Sequence, residues 1–240
     1  MITADERSAR TELEDDYHRM GVRIEHDGSV VTAILGDSSR HPWQLCARAV
    51  EELPALVGAP LTPDFVIASR MANARDHCTH LFDLAALAIT AVARQTHRRI
   101  YDSVCSYDGA IAHLRLYRDE VLLLDWRVDG SIVHSTDEAN ERDLRQGFAE
   151  FCRIRMDREK AEASLALRRT AMIAQGRGVD LDQLEDATIV ADALDGACYA
   201  LRKEKGPQAL RLKGATRSFD GPPPLTPHSE TRKWFSTPKT

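Results

Sequence analysis

The chain has no long hydrophobic run. Its longest strongly apolar stretch, Leu81 to Ala93, is interrupted by Asp83 and is too short for a bilayer-spanning helix, so no membrane is expected as a partner. The opening Met-Ile-Thr-Ala-Asp-Glu-Arg lacks the apolar centre of a secretory signal, and a cytoplasmic location is the expectation. A basic excess is missing as well. The 32 Lys and Arg against 37 Asp and Glu leave a net charge of -5, which speaks against nucleic acid, whose phosphates require a positive field. Paired cysteines are absent: Cys46, Cys78, Cys105, Cys152 and Cys198 are an odd number with no C-x-x-C. Neither a disulfide framework nor a zinc knuckle follows from that spacing. The chain also has no Gly-rich phosphate loop, no G-x-S-x-G elbow and no H-E-x-x-H, so no organic cofactor and no resident metal are expected.

What is there is ordinary globular material. With 240 residues, 43% hydrophobic and 29% charged, the chain can bury a core in one large domain or two small ones. Residues 1–16 are polar and highly charged and read as a loose arm or frayed helix. Met20 to Glu25 and Ser29 to Leu35 flank His26-Asp27-Gly28, a hairpin signal. Trp43 to Val57 has helical spacing at Leu45, Ala49, Leu53 and Leu56, with Pro54 set to kink it and Gly58 to stop it. Ile100–Ser106, Ala110–Tyr117, Val121–Val128 and Ser131–His134 are punctuated by Asp108-Gly109, Asp119-Glu120 and Asp129-Gly130, the pattern of an antiparallel meander. Val121 to Leu124 is apolar on both faces, which predicts a covered strand. Helices follow over Leu144–Ile154, Asp157–Gln175 and Leu181–Lys203. The expected fold is α+β: an antiparallel sheet, made of an early hairpin and a central meander, packed with several helices. Residues 17–203 form its single domain, and 204–240, with Gly221-Pro222-Pro223-Pro224, an extended tail.

Chemistry-bearing residues concentrate at one place. Arg75, His77, Cys78, His80 and Asp83 crowd the opening of an apolar helix whose stripe is Leu81, Leu84, Ala85, Ala88, Ile89 and Val92. With Asn73 or Asp76 as the N-cap, Cys78 sits in the first turn, where unpaired amides and the helix dipole favour the thiolate. His77 and Cys78 fall beside the stripe, His80 at its edge and Asp83 on the far side. On a helix, Cys78 and His80 diverge and do not bond each other. Against this stands the plain reading, a core cysteine with satisfied histidines at a helix start. A metal held by Cys78, His80 and a distant Cys198 or His41 is a third reading, and its C-x-H spacing matches no zinc pattern.

Weaker candidates lie elsewhere. His41, Trp43 and Cys46 gather at a loop-to-helix junction, where Trp43 is read first as a packing anchor. Cys198 follows Gly196-Ala197 and reads first as packing too. Arg168, Arg169 and Arg177 are solvated cations, unless one turns inward to bind a carboxylate.

With these residues in view, the chain resembles the bacterial family known as domain of unknown function 2889. The carrying segments are Pro42-Trp43-Gln44-Leu45-Cys46 with Leu56-Val57-Gly58, Cys78-Thr79-His80-Leu81 with Asp83-Leu84, and Gly196-Ala197-Cys198-Tyr199-Ala200-Leu201-Arg202. The resemblance implies a shared site around Cys78, His80 and Cys198 and brings no established activity or cofactor. It also carries an association with the bacterial breakdown of aromatic or lipid-like compounds.

Two functional expectations follow. One is a small-molecule enzyme without organic cofactor, a lyase, isomerase, hydratase or hydrolase working on an aromatic or lipid-like acid or thioester. There Cys78 is nucleophile or polarising donor, His80 the acid or base, Asp83 its orienter and Arg75 the anion binder; His77, Trp43, Cys46, Cys198 and His41 line the substrate site. The other is a non-catalytic binding or assembly module, whose apolar helices and proline-containing tail suit a homodimer.

Overall fold

The computed structural model of the chain describes residues 1–219. It is built on two antiparallel sheets. The first has five strands: β1 (Ile2–Ala4), β2 (Ser8–Glu14), β3 (Arg19–His26), β4 (Val31–Arg40) and β5 (Arg98–Arg99), in the order β4-β3-β2-β1-β5. The second is a four-stranded meander of β6 (Tyr101–Asp108), β7 (Ile111–Arg118), β8 (Val121–Asp129) and β9 (Ile132–His134). The α+β class is as expected from the sequence. Asp27-Gly28 does turn the early hairpin, with Gly28 at φ 94°. The turn after Arg118 places both Asp119 (φ 50°) and Glu120 (φ 73°) in the left-handed region, as a two-residue hairpin loop of twist matching the strands requires.

Residues 2–14 are strands and not a loose arm. Their charged residues hid the alternation that puts Ile2, Ala9 and Thr11 inside, at 3%, 1% and 0% exposure. Even Glu12 is buried, within an ion pair to Arg10 on the same strand and accepting at its backbone oxygen from the Met1 ammonium at 2.7 Å.

The chain after the first hairpin runs through a 3₁₀ helix, Gln44–Leu56, which stands where the sequence predicts a helix. It comes down onto β4 at Gly36, where a Cβ would meet Leu53 Cδ1 at 2.5 Å, so no other residue fits without displacement. Two α-helices follow, α1 (Ile67–Met71) and α2 (Thr79–Ala93). Helix α2 lies across β1, β2 and β3. The predicted stripe is its buried face: Leu81, Leu84, Ala85, Ala88 and Ile89 are all at most 3% exposed, against Met20, Val22 and Ile24 at 0%. Burying each large side chain contributes about 1.5–3 kcal/mol. Thr11 Oγ1 donates to the Leu84 carbonyl at 2.8 Å and fixes the helix along the sheet.

The meander is covered by α3 (Phe148–Arg155) and α4 (Arg158–Ala174), the latter capped by Asp157, whose carboxylate accepts from the amides of Glu159 and Lys160. Strand β8 is not the doubly covered strand expected. Val121 and Leu122 are 68% and 47% exposed, and only Leu124, Trp126 and Val128 turn inward.

The predicted helix over Leu181–Lys203 is also corrected. Only α5 (Thr188–Ala193) is α-helical; Asp195 (φ 47°) and Gly196 (φ 68°) in the left-handed region end it, and short 3₁₀ turns lie at either side. These pieces return to the first sheet. Ala187, Ala191, Tyr199, Ala200, Leu201 and Ala209 complete its core, while Cys105 to Ala174 form a separate second core. The buried side chains thus gather into two lobes, with the second lobe set between the parts of the first. Residues 204–219 are not a loose tail. Ala209 is fully buried, Arg211 is 7% exposed, and Arg217 bonds Glu14 at 2.8 Å. The Gly221–Pro224 segment lies outside the described residues.

Candidate functional site

Between the lobes runs a cleft of about 350 Å³, within the range of small-molecule sites. One wall is β2 with the first turns of α2; the other is α4 with β6. Carboxylate–guanidinium ties cross it. Arg169 grips Asp83 Oδ2 through Nε (2.9 Å) and Nη2 (2.7 Å). Arg177 holds both oxygens of Asp16, at 2.5 and 3.0 Å. Glu162 of α4 takes Arg94 at the end of α2 and Arg99 of β5.

A polar cluster sits in the first-lobe wall. The turn after β2, Asp15-Asp16-Tyr17-His18, folds on itself because Asp15 Oδ1 accepts the amides of Tyr17 (2.8 Å) and His18 (2.7 Å). The His18 ring closes the same turn, with Nδ1 at 2.9 and 3.2 Å from the two Asp15 oxygens. From α2, His80 stacks on His18 with ring centroids 4.0 Å apart and 31° between planes. His80 Nε2 lies 3.3 Å from Asp15 Oδ2, yet without the alignment of a hydrogen bond, and this buried atom has no other partner. Burial acts on Asp15 to push its carboxyl up, but the two imidazoles outweigh it and hold the group well below the usual carboxylate range. Burial and the neighbouring His18 ring bring His80 down to about 4, so it is neutral near pH 7. Asp15, His18 and His80 each present a ligand atom within 4.8 Å of the others, an arrangement able to hold a cation.

Of the predicted residues, His80 and Asp83 face the cleft together. Cys78 does not. The helix begins at Thr79; Asn73 caps a separate 3₁₀ turn over 74–76, and Cys78 is itself the N-cap with its side chain turned inward. Its Sγ meets Met20 Sδ at 3.8 Å at 5% exposure. Burial, with Cys198 nearby, pushes the thiol up to about 12. A helix dipole is worth typically about 0.3–1 kcal/mol, less than the roughly 1.4 kcal/mol of one pKa unit, so desolvation wins and the thiolate expectation is reversed. Cys78 should therefore label with an aromatic disulfide near neutral pH no faster than Cys105, and freely only in denaturant; faster native labelling at Cys78 would restore the nucleophile.

The other candidates scatter. His77 is 3% exposed and packs on Phe82, ring centroids 4.8 Å apart. Arg75 is two-thirds exposed at its side chain (66%) and pairs with Asp195, away from the cleft, so it is no anion binder for His80. Trp43 (3%) and Cys46 (5%) are core residues, and the thiols of Cys46 and Cys198 are also raised by burial. His41 bonds Ser38 Oγ at 3.0 Å outside the cleft lining. Sequence reasoning missed Asp15 and His18, while Arg169 takes the alternative left open for it, an inward guanidinium on a carboxylate. A visible signal existed for the first two: a carboxylate pair and an imidazole within four residues.

The fold and site define a two-lobed α+β protein with a carboxylate–imidazole cluster in its cleft. The model of the family described as Protein of unknown function (DUF2889) matches residues 2–95, and over that part the chain is similar to it. The matched part holds β1 to β4, α2 and Asp15, His18, His80 and Asp83, and ends before β5 and Cys198. No curated protein and no solved structure matches the chain. No helix among the described residues is long and apolar enough to cross a membrane.

Proposed function

We propose that the protein is a small-molecule enzyme whose reaction takes place in the interlobe cleft, at His80 and Asp15. The carrying observation is the state of His80: a neutral, buried imidazole with Nε2 unclaimed, 3.3 Å from an ionised carboxylate, in the wall of a cavity of ligand size. Such a nitrogen can exchange a proton with a substrate or hold an electrophile, and either serves hydrolysis, hydration, elimination or isomerisation.

The cleft suits an acid or thioester with an apolar body. Leu13, Phe65, Leu84, Leu87 and Leu165 offer hydrocarbon, and Arg169, Arg177 and Arg19 offer positive charge. Arg169 remains paired with Asp83, so a substrate carboxylate would share that guanidinium and not meet a bare cation. Cys78 supplies no nucleophile in this reading.

The test is a panel of aromatic and medium-chain carboxylic acids and their thioesters, screened for thermal stabilisation and then for conversion. Binders should raise the melting temperature of the wild type. His80→Gln should bind them comparably while conversion falls about 10²- to 10⁴-fold, the usual range for losing one positioned acid or base. Ligands that dock in the cleft and are never converted would make the protein a binding module instead.

A further inference from the structure

We propose that Asp15, His18 and His80 together bind one divalent cation of the zinc class at the wall of the cleft. The inference deepens the enzyme reading, since it says how His80 would act, but its test does not depend on turnover.

The donor set comes first. Two imidazoles and a carboxylate are the borderline ligands that zinc and its neighbours prefer, and three protein donors with an open side are the form of a catalytic rather than a structural site. The three ligand atoms already lie within 4.8 Å of one another, so a cation needs no backbone rearrangement to reach all of them.

The carboxylate is also held in advance. Two backbone amides fix Asp15 Oδ1, leaving Oδ2 directed at His80. Orienting bonds of this kind are what metal-ligating carboxylates carry.

The independent observation is His80 itself. At 4% exposure its Nε2 is buried and has no aligned partner, while its ring lies against a second imidazole. A protein needing only a packed side chain here would do better with an apolar one. Two guanidinium groups lie near: Arg169 is neutralised by Asp83, and Arg40, which donates to the backbone oxygens of Asp15 and His18, is paired with Glu14 at 3.4 Å. Asp15 and His80 line the cleft, so the remaining coordination position would face any bound molecule.

Tag-free protein, stripped with chelator, would be titrated with Co²⁺ while its visible d–d absorption is followed, then challenged with Zn²⁺. One equivalent of Co²⁺ should develop the band, Zn²⁺ should displace it, and Zn²⁺ should raise the melting temperature of the wild type. Asp15→Asn, His18→Ala and His80→Gln should each weaken binding at least 100-fold with the far-ultraviolet circular dichroism unchanged. Cys78→Ser and Cys198→Ser should bind as the wild type does, which separates this site from one built on thiols. No stoichiometric binding by the wild type, or binding untouched by all three ligand substitutions, overturns the site. The failure of the enzyme reading looks different: tight one-to-one metal with no conversion of any ligand. Conversion that persists in metal-free protein would remove the metal and leave the enzyme.

Discussion

Replacing Glu162 with alanine is expected to cost about 3–5 kcal/mol of stability, the usual penalty for breaking a buried ion pair from one side. The side chain is 2% exposed and both oxygens are fully engaged. Oε2 accepts from Arg94 Nη1 at 2.6 Å and Thr90 Oγ1 at 3.1 Å; Oε1 accepts from the Tyr101 hydroxyl at 2.8 Å and Arg99 Nη1 at 3.3 Å. Arg94 and Arg99 are themselves only 11% and 12% exposed. Without the carboxylate, two guanidinium groups and a phenol would remain desolvated around a void. Glu162→Gln keeps the volume and loses the charge, so it should fall between wild type and alanine. By contrast, removing Glu25, whose pair with Arg23 is exposed on both sides, should be almost silent. Urea unfolding followed by circular dichroism measures all three. A wild-type midpoint for Glu162→Ala would mean that the lobes are held by something other than this carboxylate.

The second large effect belongs to the other core. Trp126 is fully buried, stands edge-on to Phe148 with ring centroids 5.8 Å apart, and donates Nε1–H to Asp137 Oδ2 at 2.9 Å. Trp126→Ala should cost about 3–5 kcal/mol through lost burial and the cavity left behind. Trp126→Phe keeps most of the packing and gives up the hydrogen bond, which is worth about 0.5–1.5 kcal/mol. Because the cores are separate, the damage should be local. Hydrogen exchange should accelerate in β6, β7 and β8 while β3 and α2 keep most of their protection. Equal loss in both sheets would show that the ties across the cleft make the lobes one cooperative unit.

What could be read from the sequence follows from how local the signals are. The hairpin and meander were legible because Asp-Gly pairs name their own turn, and α4 because its helical pattern is carried by contiguous residues. Strands β1 and β2 were not, since Ser8–Glu14 carries charges on both faces and its buried Glu12 is neutralised by an arginine of the same strand. The break at Asp195-Gly196 was underread because the apolar residues around it answer to a distant sheet and not to each other. At the site, the density of reactive residues did locate the start of α2, and His80 and Asp83 do face the cleft. It could not tell which side chains turn inward. Cys78 went to the core because the helix starts one residue after it, with Cys78 and not Asn73 or Asp76 as its cap. Asp15 and His18 reach His80 across about sixty residues of chain, a proximity that only the pairing of β2 and β3 under α2 creates.

The closing of the first core by Ala187 to Ala209 has an outcome for how this molecule comes into being. While the ribosome is still reading the second lobe, the five-stranded sheet and its helix have an uncovered hydrophobic flank, and only residues made after that lobe supply the cover. The second lobe, whose strands and helices are contiguous from Tyr101 to Ala174, can finish folding first. A fragment cut at the end of the family match would therefore emerge sticky rather than as a small free-standing unit.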